Sequence, residues 1–181
     1  IHAEGVTNTA GVPTIWLNLL KHTREVDGNL DTLNHVIIGG SAAPGAMIKE
    51  FQDTYGTKVV HAWGMTEMSP LGSSGVLPPH IAKVTSDDEK FDLQVKQGHR
   101  VWGADMKIVD DEENPQVHDG KARGHLVVRG PWITSGYYNN HDANEKAFTQ
   151  DGWFYTGDIA TIDPDSFLQL VDRSKDVIKS G

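Results

Sequence analysis

Apolar positions in the first sixty residues switch between helical and strand spacing. Gly11-Val12-Pro13-Thr14 opens a predicted helix, with Pro13 near its first turn. Ile15, Trp16, Leu19 and Leu20 then fall on one helical face. The unbroken run His35-Val36-Ile37-Ile38 predicts a short buried strand ended by Gly39-Gly40. Over 44–55 the spacing is helical again, with Met47, Ile48 and Phe51 on the apolar side and Gly56 as the stop. Lys58-Val59-Val60-His61 predicts a second strand. Strand, loop, helix, strand in this order implies a parallel α/β layer.

The pattern changes after Pro79. Residues 87–96 are charged and read as a helix or an exposed loop. From Val101 onward short apolar runs alternate with turn clusters. Strands are expected over 106–109, 125–128, 158–162 and 167–171. Turns are expected over 110–120 and at Asp163-Pro164-Asp165-Ser166. The expected fold is therefore α/β. A parallel α/β layer over 1–95 precedes a small antiparallel, barrel-like β subdomain over 96–172, and 173–181 forms a charged link. No internal repeat is present.

Charge and composition narrow the chemistry. Sixteen basic against 25 acidic residues give a formal charge of −9. That balance argues against nucleic-acid binding, which needs many phosphate contacts from Lys and Arg. It leaves room for a local anion site built from backbone N–H groups. The chain has no cysteine, so any thiol in its chemistry must come from a substrate. This also fits a cytoplasmic location. No apolar run approaches the roughly 20 residues of a membrane span. The start, Ile1-His2-Ala3-Glu4-Gly5, has no basic segment followed by an apolar one, so it does not read as a signal peptide. Both ends read as cut from a longer sequence.

Four segments carry candidate chemistry. Gly39-Gly40-Ser41-Ala42-Ala43-Pro44 lies between a strand and a helix, where small residues let a ligand approach the backbone. An ordinary strand-to-helix turn would look the same. In Trp63-Gly64-Met65-Thr66-Glu67, Trp63 offers a flat face for a base and Thr66 a hydroxyl for a phosphate oxygen. Glu67 offers a hard oxygen for Mg²⁺. A core tryptophan followed by a capped turn is an equal reading. In Gly152-Trp153-Phe154-Tyr155-Thr156-Gly157-Asp158, the Asp158 carboxylate suits two vicinal hydroxyls, and a β-turn with an aromatic anchor is the structural alternative. The run from Asp172-Arg173-Ser174-Lys175 through Ile178-Lys179-Ser180-Gly181 reads equally as a solvated charged link.

In this order the segments resemble the adenylate-forming superfamily of acyl-CoA synthetases, luciferases and peptide-synthetase adenylation domains. Trp63-Gly64-Met65-Thr66-Glu67 resembles its aromatic-Gly-x-Thr-Glu motif, and Tyr155-Thr156-Gly157-Asp158 its Thr-Gly-Asp motif. Gly124-His125-Leu126-Val127-Val128-Arg129-Gly130-Pro131 with Gly136-Tyr137-Tyr138 is similar to its Gly-Glu-Leu-x-x-x-Gly and Gly-Tyr segment. The stretch 172–181 resembles its hinge motif. The similarity runs over 11–181. It departs at His125, where the family has Glu. The family's Ser/Thr/Gly-rich phosphate loop and the catalytic Lys of its C-terminal domain do not occur between Ile1 and Gly181.

The resemblance implies roles. Gly40, Ser41, Ala42, Ala43 and Pro44 would border the adenine, with Trp63 stacked on it and Gly64 and Met65 beside it. Thr66 would touch the α-phosphate and Glu67 would hold Mg²⁺, which makes these two the catalytic candidates. Asp158 would hold the ribose hydroxyls, assisted by Arg173. Lys175 would be the hinge. Gly40, His61, Trp63 and Gly64 would lie near the acyl pocket. The implied partners are ATP, Mg²⁺, CoA and a carboxylic acid, with a fatty acid favoured. Two other readings stand beside it: an adenylating enzyme with a different acceptor, such as a carrier-protein thiol, and a non-catalytic nucleotide-binding fragment. The chain alone is expected to be inactive.

Overall fold

The computed structural model describes residues 1–84 and 86–173. The chain divides into two compact units. The first comprises Ile1–Gly64 and Ser74–Gly98; the second comprises Met65–Ser73 and the chain from His99 onward.

In the first unit, strands β1 (Asn8–Gly11), β2 (His35–Ile38) and β3 (Lys58–Gly64) form a parallel sheet in that order. Helix α1 (Pro13–Glu25) links β1 to β2, and α2 (Gly45–Tyr55) links β2 to β3. This is the expected parallel α/β layer, extended by β1, whose polar Asn8-Thr9 start gave no strand signal. Side chains alternate along a strand. Val36 and Ile38 on β2, and Val59, His61 and Trp63 on β3, are accordingly the buried set. Met47, Ile48 and Phe51 of α2 and Trp16 and Leu20 of α1 join Val36, Ile38 and Val59 in one core. Phe51 meets the Trp16 ring edge-on at 6.4 Å between centroids.

Helix α1 differs from expectation on one residue. Ile15 is 54% exposed, whereas Pro13, Trp16, Leu20 and Thr23 are buried. Steps of three, four and three residues keep those four on one side, and Ile15 falls off that stripe. Helix α2 ends as expected, at Gly56 with φ 64°, whose N–H bonds back to the Gln52 carbonyl. The ambiguous charged segment contains a helix, α4 (Asp87–Gln94), preceded by the short α3 (Pro79–Val84). Ser86 starts α4 with a capping box: its hydroxyl accepts from the Glu89 N–H while the Glu89 carboxylate accepts from the Ser86 N–H.

Strands β4 (Leu71–Ser74) and β5 (Gly98–Arg100) are short. The second unit then continues as an antiparallel meander of β6 (Asp105–Val109), β7 (Gly124–Arg129), β8 (Phe154–Ile162) and β9 (Phe167–Arg173), with α5 (His141–Ala147) before β8. Strand β8 starts at Phe154, four residues before the expected start, so Tyr155-Thr156-Gly157 lies inside a strand and not in a turn. Val109, Val127 and Trp153 pack together. The buried Trp153 ring takes the Lys107 ammonium at 4.5 Å and the Arg129 guanidinium at 4.4 Å. Among the described residues no helix is long and apolar enough to cross a membrane.

Gly98 marks the tightest backbone approach in the first unit. Its φ is +97°, and a Cβ there would stand 2.2 Å from the Ser74 carbonyl carbon. Both the left-handed conformation and the contact exclude a side chain. Gly98→Ala is expected to lower stability by at least about 2 kcal/mol, combining backbone strain with a clash against immobile main chain. Denaturant titration of the variant against the parent reads this directly, and an unchanged midpoint would refute it.

Candidate functional site

The candidate residues divide between the units. Gly40, Ser41, Ala42, Ala43, Pro44, His61, Trp63 and Gly64 belong to the first, and Met65, Thr66, Glu67 and Asp158 to the second. Lys175 lies outside the described residues, and so does the side chain of Arg173, whose backbone ends β9.

In the first unit, β2 ends at Ile38 and the chain turns through Gly39 and Gly40 into α2. The Gly39 N–H continues the ladder to the Gly11 carbonyl at 3.1 Å. Gly40 has φ +85°, and a Cβ on it would come within 3.0 Å of Val12. The left-handed backbone therefore favours glycine there, and a side chain would also need Val12 to give by a few tenths of an ångström. Ser41 and Ala42 are exposed, Ala43 turns its methyl into the core, and Pro44 is the N-cap of α2. This loop thus presents backbone, with Ser41 as its one polar side chain.

Beneath it lies His61, 1% exposed. Its Nε2 faces the Ser41 carbonyl oxygen at 3.4 Å. A carbonyl only accepts, so the Ser41 contact needs the proton on Nε2. The Val95 and Lys96 backbones also hydrogen-bond to the ring. Burial is the largest influence on the ring and lowers its pKa below 6.5; the Ser41, Val95 and Lys96 backbones act the other way. Trp63, two residues on, is also buried, and Gly64 is the last residue of β3.

In the second unit, Met65 leads into a single 3₁₀ turn, Thr66–Met68. Met68 is wholly buried and anchors this turn. Two hydrogen bonds tie it to the segment after β7: Thr134 N–H to the Glu67 carbonyl at 2.8 Å, and Ser69 Oγ to the Trp132 carbonyl at 3.2 Å. A third reaches the Glu67 side chain, where the Tyr137 hydroxyl donates to Oε1 at 2.8 Å. Tyr137 is itself held by α5. Asn144 accepts from the Tyr137 N–H at 2.6 Å and donates to its carbonyl at 2.9 Å. Asn140 caps the start of α5 through the Ala143 N–H. Partial burial, then the bond to Glu67 and its charge, raise the Tyr137 pKa, so the phenol remains a donor.

The Thr156-Gly157-Asp158 segment is a β-bulge. His125 pairs with Ile159 and Val127 with Tyr155, so two steps on β7 oppose four on β8. Gly157 takes φ +78° at the bulge. The Thr156 hydroxyl secures it, donating to the Leu126 carbonyl at 2.9 Å and accepting from the Asp158 N–H at 3.1 Å. Asp158 itself is 6% exposed and stands opposite Arg173 in the β8–β9 register.

Met65, Glu67, Tyr137, Thr156, Gly157 and His125 help to line one open cleft of about 610 Å³, within the size range of small-molecule sites. His125 Nε2 lies 2.9 Å from Asp111 Oδ1, so the residue that departs from the family pattern is engaged with a carboxylate. Asp110 also lines the cleft, but its carboxylate closes the following turn through the Asn114 and Glu112 N–H groups, which lower its pKa. Sequence reasoning gave Tyr137, Asn144 and Asp111 no role. Only Tyr137 lay in a quoted motif, and its bond to Glu67 spans 70 positions.

Among the described residues no three His, Asp or Glu side chains gather as a metal cage. A single carboxylate is nevertheless a fitting donor for Mg²⁺, which binds through one or two carboxylates plus substrate phosphates. Glu67 at the cleft wall is such a donor, with its charge oriented by Tyr137.

The sequence model described as AMP-binding enzyme matches residues 1–138. A 3-methylmercaptopropionyl-CoA ligase of Ruegeria lacuscaerulensis is 46% identical over 181 residues, covering all of this chain and 33% of its own length. A medium-chain-fatty-acid–CoA ligase of Ectopseudomonas oleovorans is 43% identical over 181 residues, covering all of this chain and 32% of its own. A long-chain-fatty-acid–CoA ligase of Thermus thermophilus is 42% identical, covering 98% and 32%. Among solved structures, the O-succinylbenzoate coenzyme A synthetase of Bacillus subtilis in complex with ATP and magnesium superposes with a TM-score of 0.76 at 28% identity, covering all of this chain and 34% of that one. The chain spans about a third of the length of these curated relatives.

The buried ring of His61 gives a pH prediction. Its folded pKa is lowered, so on acidification the unfolded state takes up the proton first. The protein is then expected to hold this group's full contribution to stability above pH 6.5, the ordinary value. It should lose stability as pH falls from there toward the folded value, by at most about 1.4 kcal/mol per pH unit from this group. His61→Gln should lack that portion of the acid loss. Equal acid slopes in urea titrations of both proteins would refute it.

Proposed function

Because the chain belongs to the AMP-binding enzyme family, we propose that it forms the nucleotide-binding middle part of an acyl-CoA ligase. That enzyme activates a carboxylic acid as its acyl-adenylate and passes the acyl group to CoA. The observation that carries this reading is the conjunction of Glu67, held by Tyr137, with the Thr156-Gly157-Asp158 bulge in one unit. Relatives named for a thioether acid and for medium- and long-chain fatty acids support an aliphatic carboxylic acid as substrate. All three are named CoA ligases, which supports CoA as the acceptor.

In the first step a carboxylate oxygen of the acid attacks the α-phosphorus of ATP and pyrophosphate leaves. In the second the CoA thiol attacks the acyl carbon and AMP leaves. Both are displacements in which positioning and charge placement account for much of the rate. The chain has no cysteine, so it supplies no thiol nucleophile of its own. Its residues bind and orient instead. The Gly40–Pro44 loop and Trp63 would border the adenine, Asp158 would accept from the ribose hydroxyls, and Thr66 would donate to the α-phosphate. Glu67 would hold Mg²⁺, whose charge offsets that of the phosphates.

A parallel sheet is normally covered on both faces. Here Ile37 on β2 is 40% exposed, which supports a larger protein in which more chain covers that face. Under this reading the phosphate loop, the C-terminal lysine and the Lys175 hinge motion belong to the whole ligase, and the chain alone makes no acyl-CoA. A cytoplasmic location is part of the same proposal.

The test is acid-dependent pyrophosphate release by the enzyme that carries this chain, across acids from thioether propionates to long-chain fatty acids. Glu67→Gln keeps the side chain's size and removes its charge. Adenylate formation is expected to fall on the order of 10²-fold or more, and wild-type release at limiting Mg²⁺ would remove Glu67 from the site. Asp158→Ala addresses the ribose. Two charge-assisted hydrogen bonds, each worth roughly 1.5–3 kcal/mol, would be lost. The variant should bind ATP more weakly and discriminate poorly against 2′-deoxy-ATP. An undiminished preference for ATP would overturn the ribose assignment.

A further inference from the structure

We infer that Tyr137 is a positioning residue that sets how Glu67 meets a metal ion. Its hydroxyl takes one carboxylate oxygen and leaves the other for end-on contact, which favours Mg²⁺ over the larger Ca²⁺ as companion of a bound polyphosphate. This rests on reading Glu67 as the metal donor of a nucleotide site. It goes beyond that reading, in which Tyr137 has no part in choosing the ion.

The segment after β7 sets up the contact. The Thr134 hydroxyl folds it, donating to the Gly136 carbonyl at 3.0 Å and accepting from the Gly136 N–H at 3.2 Å. Gly136 has φ +149°, and a Cβ on it would come within 3.0 Å of the Asn144 side-chain oxygen. Asn144, on α5, then grips both main-chain groups of Tyr137, as a strand partner would. The Tyr137 ring stands against buried Phe154, with 6.5 Å between centroids. Backbone and ring are thus both held, and the hydroxyl reaches Glu67 Oε1 at 2.8 Å. The same segment holds the Glu67 main chain, whose carbonyl accepts from the Thr134 N–H at 2.8 Å. The carboxylate is therefore fixed at one oxygen, Oε1, on the wall of the cleft.

The two ions ask different things of a carboxylate. Mg²⁺ binds oxygen at about 2.0–2.1 Å in a strict octahedron and keeps several waters, so one carboxylate oxygen suffices. Ca²⁺ binds at roughly 2.3–2.6 Å with about six to eight oxygens and readily takes both oxygens of one carboxylate. A phenol donating to Oε1 draws on that oxygen's charge and competes with the two-oxygen mode. Contact through Oε2 alone is left intact. Groups that hydrogen-bond a metal ligand commonly change metal affinity by about 10–100-fold.

Tyr137→Phe removes the hydroxyl and keeps the ring against Phe154. In the enzyme that carries this chain, calorimetry measures binding of a non-hydrolysable ATP analogue with Mg²⁺ and with Ca²⁺, so the readout needs no turnover. The ratio of the two dissociation constants is expected to move about tenfold toward Ca²⁺ in Tyr137→Phe. A merely structural role would weaken both complexes alike and leave the ratio where it was. An unchanged ratio in Tyr137→Phe therefore overturns the role of Tyr137. Glu67→Gln separates that failure from failure of the metal-donor reading. Loss of the parent's ion preference in Glu67→Gln, with an unchanged ratio in Tyr137→Phe, keeps Glu67 as the donor and sinks Tyr137 alone. An ion preference in Glu67→Gln equal to the parent's takes the metal away from Glu67, and both fall together.

Discussion

The parallel register between β2 and β3 is the constraint on which the first unit depends. Val36 pairs with Val59 and Ile38 with His61. The side-chain period of a strand is two, so a slip of one residue would bury Val60 and Ala62 and expose His61 and Trp63. The register is held by Val36, Ile38 and Val59, all packed against α1 and α2. Once it is set, the chain leaving Ile38 must begin its loop beside His61. Core packing thus decides where the exposed Ser41 and Ala42 stand, and the buried His61 ring meets the Ser41 carbonyl oxygen there.

The second unit reaches the same end by different means. No strand end presents Glu67. A 3₁₀ turn does, pinned by buried Met68 beneath and by hydrogen bonds from Thr134 and Tyr137 above. Asp158 sits within a strand, where regular pleating would fix its direction. The bulge at Gly157 breaks that regularity, and the Thr156 hydroxyl stabilises the break by taking the Leu126 carbonyl that the ladder leaves over. Backbone hydrogen-bond demand, satisfied in an irregular way, is the common device at both places.

This explains what could be read in the sequence. The strand at His35-Val36-Ile37-Ile38, the buried face of α2 and the stop at Gly56 were legible because each depends on local pattern and on conformations only certain residues tolerate. Strand β1 was not, because Asn8-Thr9-Ala10-Gly11 has no apolar alternation and becomes a strand only by pairing with β2. The bulge at 156–158 was missed for a related reason: Thr-Gly-Asp has turn chemistry, and only the β7 ladder makes it strand. At the candidate site, Met65, Glu67, Thr156 and Gly157 of the quoted motifs fall on one cleft, but the partners that orient them were not legible. Tyr137 lies 70 positions from Glu67 and Ser41 lies twenty from His61, distances at which a single sequence carries no pairing signal.

The electrostatics of the cleft bear on how the proposed chemistry would be shared. Among the described residues Glu67, Asp110 and Asp111 line it with one ammonium, that of Lys146. Asp110 is committed to its turn and Asp111 to His125, so neither carboxylate stands as a bare charge. The cleft is still anionic on balance, as is the chain at −9. A triphosphate brought against such a wall would be repelled. Two features reduce this: Tyr137 donates to the Glu67 carboxylate, and a divalent cation between Glu67 and the phosphates would reverse the local sign. Under the proposed reading the wall would suit a metal-bound polyphosphate and disfavour a bare one. Under the proposed reading, the cationic groups that grip the phosphates come from elsewhere in the ligase. Under that reading this chain would contribute the exposed Gly39–Pro44 loop, one oriented carboxylate for the metal, and Asp158 at a bulge for the ribose.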